Sequence, residues 1–339
     1  MLQLISGETP YMKRNSILKI STLALLFGVG VIYLFNASWL APKPEGKPTL
    51  ISHRGVYQTY NRDNLSPEEC TATRIYRPQH TYLENTIISM EAAFAHGADI
   101  VEIDIHPTTD GEFAVFHDWT LDCRTEGAGV TREHSLADLK KLDIGYGYTF
   151  DGGITFPFRG QGIGLLPSLQ EVLKRFPGKQ FLINIKSNDP TEAEKLDSYL
   201  RQHQLPIDSR LMVYGGDRPI DRLRELRPDA LAFSRESAKR CALGYLLVGW
   251  SGYTPQACRN SIVMAPNTWH WAFWGWPNRF IDRISRSGSF VIVLDYRGDK
   301  NGLTAIYQPE DLNYLPENYN GVIWVEKIEV IGPHLQAGR

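Results

Sequence analysis

The sequence predicts an α/β fold, a (β/α)8 barrel preceded by a single transmembrane helix. Two observations carry the barrel. Eight short runs rich in β-branched and aromatic residues follow residue 48, with amphipathic segments between most of them, which is the rhythm of a βα fold. No Gly-rich phosphate loop follows the first run, as a doubly wound nucleotide-binding sheet would want. A third observation, one long apolar run near the N-terminus, carries the helix.

That run covers residues 20–40 without a charge. About 20 helical residues span a bilayer core. Lys13, Arg14 and Lys19 precede it, and Tyr33 and Trp39 stand near its far end, where interfacial aromatics concentrate. A removed signal would have a shorter apolar stretch before a small-residue cleavage site. Here Leu40-Ala41 runs straight into Pro42, which favours an uncleaved anchor. Residues 1–42 are expected to form the tail and anchor, and 43–339 the barrel. Residues 42–48 read as a semi-rigid linker.

Basic residues ahead of the span favour a cytoplasmic N-terminus, against Lys43 and Lys47 beyond it. The chain has four cysteines, Cys70, Cys123, Cys241 and Cys258, in no metal-binding spacing. An even number suits two disulfides in an oxidising compartment. Both signs point to a membrane-anchored protein with an extracytoplasmic, periplasmic barrel. Cys70 with Cys123 and Cys241 with Cys258 is the favoured pairing, one of three that the sequence leaves open.

Hydrophobic residues make up 42% and charged residues 22% of the chain, with a net charge of -2. Such a chain buries a large core and lacks the basic surplus of a nucleic-acid binder, so no nucleic-acid partner is expected. An anionic substrate would be held by local charges rather than by the global field.

The predicted strands are 49–53, 99–105, 181–186, 210–214, 230–233, 261–265, 290–295 and 321–325. The first ends in His53-Arg54-Gly55, and a long loop insertion covers 56–82. A helix is predicted over 84–96, with Ile87, Met90 and Phe94 on one face and Gly97 as its stop. In the second strand, alternation puts Val101, Ile103 and Ile105 on one face, and Glu102 and Asp104 on the other, which points into a barrel. Two carboxylates so close in a buried setting repel each other, and a hard divalent cation is the simplest remedy. Asp110-Gly111 signals a hairpin that returns His117 to the neighbourhood of Glu102 and Asp104. A second insertion, rich in glycine and aromatics, covers 119–167.

The third strand repeats the device, with Asn184 and Lys186 inward near its C-terminal end, where barrel active sites sit. Lys186 is placed to hold a phosphate oxygen or to balance Glu102 or Asp104. His53 and His117 close strand-like runs, and a histidine pair can take one proton and deliver another at neutral pH. Arg54 offers a fork of donors for a phosphate. After the sixth strand, residues 269–277 form an aromatic run. It is expected to line an apolar or choline-like pocket, to touch the membrane, or to fold on itself.

His53-Arg54-Gly55, Leu83-Glu84-Asn85-Thr86, Gly97-Ala98-Asp99, Glu102-Ile103-Asp104, Thr109-Asp110-Gly111 and His117-Asp118 occur in this order, continued by Pro167-Ser168-Leu169 and Ile185-Lys186. The series resembles the signature of the glycerophosphodiester phosphodiesterase family, a phosphatidylinositol phosphodiesterase-like TIM barrel. The resemblance is strong over residues 49–187 and weak beyond. It implies metal-dependent hydrolysis of glycerophosphodiesters to an alcohol and glycerol 3-phosphate, with calcium or magnesium as the divalent ion. His53 and His117 match the general acid-base pair, Glu102 and Asp104 the metal carboxylates, and Arg54 and Lys186 the phosphate-binding residues. Glu84 matches a supporting glutamate at the substrate site. Asn184 stands where the family usually has a third acidic metal ligand, so an amide oxygen replaces a carboxylate. The family's C-terminal motifs are replaced by Val293-Leu294-Asp295 and Trp324-Val325-Glu326, which puts Asp295 and Glu326 near the site at most as helpers. Two alternatives stay open: a phosphodiesterase acting on lysophospholipids, and a non-catalytic barrel that binds phosphodiesters.

Overall fold

The computed structural model describes residues 14–65, 69–205, 211–266, 268–296, 303–304 and 306–337. Lys13, the first residue of the 210–214 strand and the side chains of Arg14, Leu294 and Asp295 lie outside what is described. The strands are β1 (Thr49–Ser52), β2 (Ile100–Pro107), β3 (Phe113–Val115), β4 (Gln180–Ile185), β5 (Leu211–Gly215), β6 (Ala232–Ser234), β7 (Ile262–Pro266), β8 (Phe290–Tyr296), β9 (Leu303–Thr304) and β10 (Val322–Val325). The helices are α1 (Arg14–Asn36), α2 (Ile87–Ala95), α3 (Leu136–Leu139), α4 (Leu169–Arg175), α5 (Thr191–Gln202), α6 (Asp217–Leu226), α7 (Arg235–Val248), α8 (Asn278–Ser285) and α9 (Ile328–Ala337).

Eight parallel strands in the order β6-β5-β4-β2-β1-β10-β8-β7 wrap into a nearly closed barrel. Between the two end strands, the Ala232 N–H donates to the Asn260 carbonyl at 3.2 Å. β3 folds back antiparallel on the end of β2, pairing Ile105 with Val115, as the Asp-Gly turn predicts. The predicted strands recur within one or two residues. The predicted helix at 84–96 shortens to α2 because Thr86 caps it, its hydroxyl accepting from the Ser89 N–H.

Period-two alternation separates two layers of core. Val101, Ile103, Ile105, Ile183, Ile185, Val213 and Val263 face outward into the layer shared with the helices. Ile51, Ile100, Leu182, Met212, Phe233 and Val322 face inward and fill the lower barrel. Two residues further along the same inward rows the chemistry changes: Ile51 gives way to His53, Ile100 to Glu102, Leu182 to Asn184 and Met212 to Tyr214. An apolar plug thus supports a polar mouth at the C-terminal end of the strands.

The two insertions pack on each other over that mouth. Tyr57, Ile75, Leu83, Phe116, Leu121, Ile144, Tyr148 and Phe158 form a separate apolar cluster. The Cys70–Cys123 disulfide ties one insertion to the other, and Cys241–Cys258 joins α7 to the segment before β7.

At the other end of the chain, residues Ile17–Asn36 make a helix long and apolar enough to cross a membrane, and its apolar stretch is not buried as a core helix would be. The apolar run continues to residue 40, but the helix stops at Asn36. Asn36 Nδ2 donates to the Trp250 carbonyl at 2.8 Å, and Ser38 Oγ accepts from the Asn278 N–H at 2.9 Å. Residues 37–41 therefore follow the barrel rather than the helix axis.

Candidate active site

The turn after β1 sets the first group of side chains. Arg54 and Gly55 both have positive φ, at 55° and 79°. A Cβ on Gly55 would meet the Ser89 backbone at 2.9 Å, so only glycine lets this turn lie against α2. The Arg54 N–H donates to Glu102 Oε2 at 3.2 Å, and its guanidinium bonds Glu84 Oε1 at 3.0 Å. Arg54 Nε also lies 3.4 Å from Asp104 Oδ2. Asn85, another left-handed residue at φ 58°, donates Nδ2 to Asp104 Oδ2 at 3.0 Å and accepts from the Asp104 N–H at 3.1 Å. Asparagine tolerates this backbone region better than most residues.

Glu102 and Asp104 are fully buried side by side, yet their surroundings differ. Asp104 accepts from Asn184 Nδ2 at 2.8 Å and stands 3.3 Å from Lys186 Nζ. Burial alone would raise its pKa, but Lys186, His117 and Arg54 overcome that and hold it well below the usual carboxylate range. Glu102 accepts from the Tyr214 hydroxyl at 2.7 Å, and His53 Nε2 is 3.9 Å away. Burial first, and the Asp104 charge second, push Glu102 up to about 7. Of the two neighbouring carboxyls, Glu102 is therefore the one that more readily holds a proton.

Both imidazoles are held in the same way. His53 Nδ1 donates to Glu326 Oε2 at 2.7 Å, and His117 Nδ1 donates to Asp118 Oδ1 at 2.6 Å. A carboxylate on Nδ1 fixes the tautomer and leaves Nε2 for other work. Each carboxylate is itself held. Glu326 accepts from the Tyr57 hydroxyl and lies 3.1 Å from Arg62; Asp118 accepts from Arg124 Nε at 2.8 Å. Arg124 is buried and also bonds Glu84 Oε2 at 3.0 Å. A chain of alternating charges, Arg54–Glu84–Arg124–Asp118, therefore links the β1 turn to His117. Burial, then Arg54, lowers His117 to about 4, so its imidazole is neutral at neutral pH. Glu326 is lowered in turn, chiefly by His53 acting against burial.

All eight candidate residues, His53, Arg54, Glu84, Glu102, Asp104, His117, Asn184 and Lys186, converge on this mouth. Further residues take part: Glu326 as the partner of His53, with Tyr57, Arg62, Asn85, Tyr214, Asp118 and Arg124. His106, two places beyond Asp104 on the same inward row, is buried and lowered to about 3, mainly by burial. Among the described residues, no three histidine, cysteine, aspartate or glutamate side chains form a metal-binding group. The oxygen donors on hand are two carboxylates and the Asn184 amide.

The glycerophosphoryl diester phosphodiesterase family model matches residues 53–264. The chain belongs to this family. The match opens on His53 and takes in every candidate residue. Among curated members, a glycerophosphodiester phosphodiesterase of Bacillus subtilis is 39% identical over 151 residues, 43% of this chain and 50% of that protein. The chain spans about half the length of the curated relatives it matches first. Solved structures in the family share the fold. The glycerophosphoryl diester phosphodiesterase domain of a Mycobacterium tuberculosis protein superposes with a TM-score of 0.58 at 15% identity, covering 86% of this chain and 100% of that one. An Oleispira antarctica phosphodiesterase in complex with the product sn-glycerol-3-phosphate gives 0.54 at 19% identity, covering 86% and 97%.

Proposed function

We propose that this family member hydrolyses glycerophosphodiesters to an alcohol and glycerol 3-phosphate at the mouth formed by β1, β2, β4 and β10. One observation carries the reading: two imidazoles, each bonded through Nδ1 to a carboxylate, flank one cluster of arginine, lysine and paired carboxylates. The product complex of the Oleispira relative supports the same substrate class.

His117, neutral because it is half-buried beside Arg54, takes the proton of the attacking hydroxyl or water. His53, with Glu326 on its far nitrogen, returns a proton to the leaving alkoxide. Arg54 and Lys186 hold the non-bridging phosphate oxygens, and Glu84 keeps Arg54 in place. The donor set, two neighbouring buried carboxylates and an amide, suits a hard divalent ion. Glu102, Asp104 and Asn184 would hold calcium or magnesium, with Asn184 offering Oδ1 since its Nδ2 is spent on Asp104. Such an ion polarises the phosphoryl oxygens when bound.

α1 anchors the protein in a membrane, with the barrel on the extracytoplasmic side, a reading that both disulfides support. The test is release of glycerol 3-phosphate from glycerophosphocholine with calcium or magnesium, before and after EDTA. Turnover that EDTA abolishes is expected. Turnover indifferent to EDTA would remove the ion from the reaction, and no turnover with any diester would favour a barrel that only binds. Asn184→Glu should tighten the metal affinity measured by titration; an unchanged affinity would take Asn184 out of the ligand set.

A further inference from the structure

We propose that the second half of α7, the turn after it and the aromatic loop after β7 form a surface that lies in the headgroup layer of the membrane holding α1. This rests on the anchor reading of α1 given above. α7 carries two apolar faces. Ala238, Cys241, Ala242 and Tyr245 are buried against the barrel. Leu243, Leu247 and Trp250 recur at i, i+4 and i+7 and stay outside, Leu243 at 63% and Leu247 at 75% exposure. Residues 242–253 contain no charged side chain, and neither do residues 268–277. Trp271 in that loop is 72% exposed. Large apolar side chains grouped on a charge-free surface mark an interaction site, and tryptophan and tyrosine favour the boundary between lipid and water.

The anchor identifies what covers this surface. The last turn of α1 is bonded into it: Asn36 Nδ2 donates to the Trp250 carbonyl at 2.8 Å. Arg283 Nη1 lies within hydrogen-bond reach of Asn36 Oδ1 at 2.8 Å, the Gly249 carbonyl at 2.9 Å and the Tyr245 hydroxyl at 3.2 Å. The Tyr245 hydroxyl in turn bonds the Trp274 carbonyl at 3.0 Å, and Trp274 Nε1 donates to the Leu246 carbonyl at 2.9 Å. Helix end, α7 and aromatic loop thus form one hydrogen-bonded unit around Arg283. A spanning helix must leave the bilayer where its apolar residues end. That point is Asn36, so Leu247, Trp250 and the neighbouring loop sit at the depth of the headgroups. The barrel is then fixed against the lipid surface rather than swinging on a linker.

The test uses the full chain in nanodiscs of phosphatidylethanolamine and phosphatidylglycerol. Leu247→Cys and Trp271→Cys each carry an environment-sensitive fluorophore, and the lipids carry a nitroxide quencher. Ile154→Cys, 85% exposed on the 119–167 insertion, is the reference. Melting temperatures equal to the wild type show that each variant folds, and two positions guard against the loss of one. The labels at 247 and 271 should be quenched at least about threefold more than at 154, as membrane-surface groups are. Equal quenching at all three sites, in protein that stays in the disc through an alkaline wash, would overturn the surface and leave the anchor standing. Protein washed out by alkali would overturn the anchor and the surface with it. Two chains per disc cross-linked through position 247 would assign the surface to a second copy and also defeat the proposal.

Discussion

β1, β2 and β4 end in His53, in Glu102 and Asp104, and in Asn184 and Lys186. β6 and β7, on the far side of the same barrel, end in Ser234, which caps α7, and in Pro266, which precedes the aromatic loop. The two halves share a strand-helix rhythm and a continuous apolar core. They differ in what the strand ends and the segments after them carry. The first half stacks charges there and balances them with one another; the second makes helix caps, a disulfide and the dock for α1. β10 crosses the division, because it pairs with β1 and brings Glu326 to His53. Charge that must act together is gathered on neighbouring strands, and the remaining strands are left to stabilise and to position.

That contrast breaks first at His117. His117→Ala should lower kcat on a soluble diester by roughly 10²–10⁴, the range of a lost proton-transfer group, with the melting transition kept. Steady-state rates and a thermal scan on one preparation check both. Substantial remaining turnover would take proton transfer away from the first half.

The buried charge chain comes next. Arg124→Leu leaves Glu84 and Asp118 without their shared cation, and breaking a buried pair in this way costs on the order of 3–5 kcal/mol. Urea midpoints measure it, and a loss under about 1 kcal/mol, the scale of exposed pairs, would mean that water reaches Arg124. No substitution on the exposed face of α7 should approach that figure.

Much of this was legible in the sequence, because it rested on neighbours along the chain. Alternation in β2 turns Glu102 and Asp104 inward, and the Asp-Gly turn brings His117 back. The favoured cysteine pairing is the one in the structure. The sequence offers Glu326 only as a helper and does not pair it with His53, since the two stand 273 residues apart and the tryptophan-valine-glutamate run has no periodic signature. Tyr57 and Arg124 belong to loops whose fold comes from a separate apolar cluster and a disulfide. At α1, hydropathy extended the run to Leu40, because a hydropathy average gives no weight to an asparagine bonded to another element.

Acid tests the His117 environment from the side of stability. An unfolded histidine gains its proton near 6.5, whereas native His117 resists until about 4. A depressed pKa contributes stability that is complete above 6.5 and is lost as pH falls through 4. Its share of the loss is at most on the order of 3 kcal/mol. Urea midpoints across that window should fall for the wild type and fall less for His117→Gln. Parallel slopes would mean that another group carries the acid response.

The smallest effect bears on β10, where the halves meet. Glu326 touches no reacting atom in the proposed chemistry; it positions His53 through Nδ1. Glu326→Gln keeps the shape and removes the charge that holds the tautomer. A loss of about 10- to 100-fold in kcat with KM nearly unchanged is expected, the size seen when a partner behind a working histidine is removed. A merely structural role would lower stability and leave kcat alone, whereas a positioning role lowers kcat with the melting transition kept. Glu326→Asp, which keeps the charge on a shorter stem, should recover part of the rate. If Glu326→Gln leaves kcat untouched, β10 only closes the barrel, and the chemistry belongs to the first half alone.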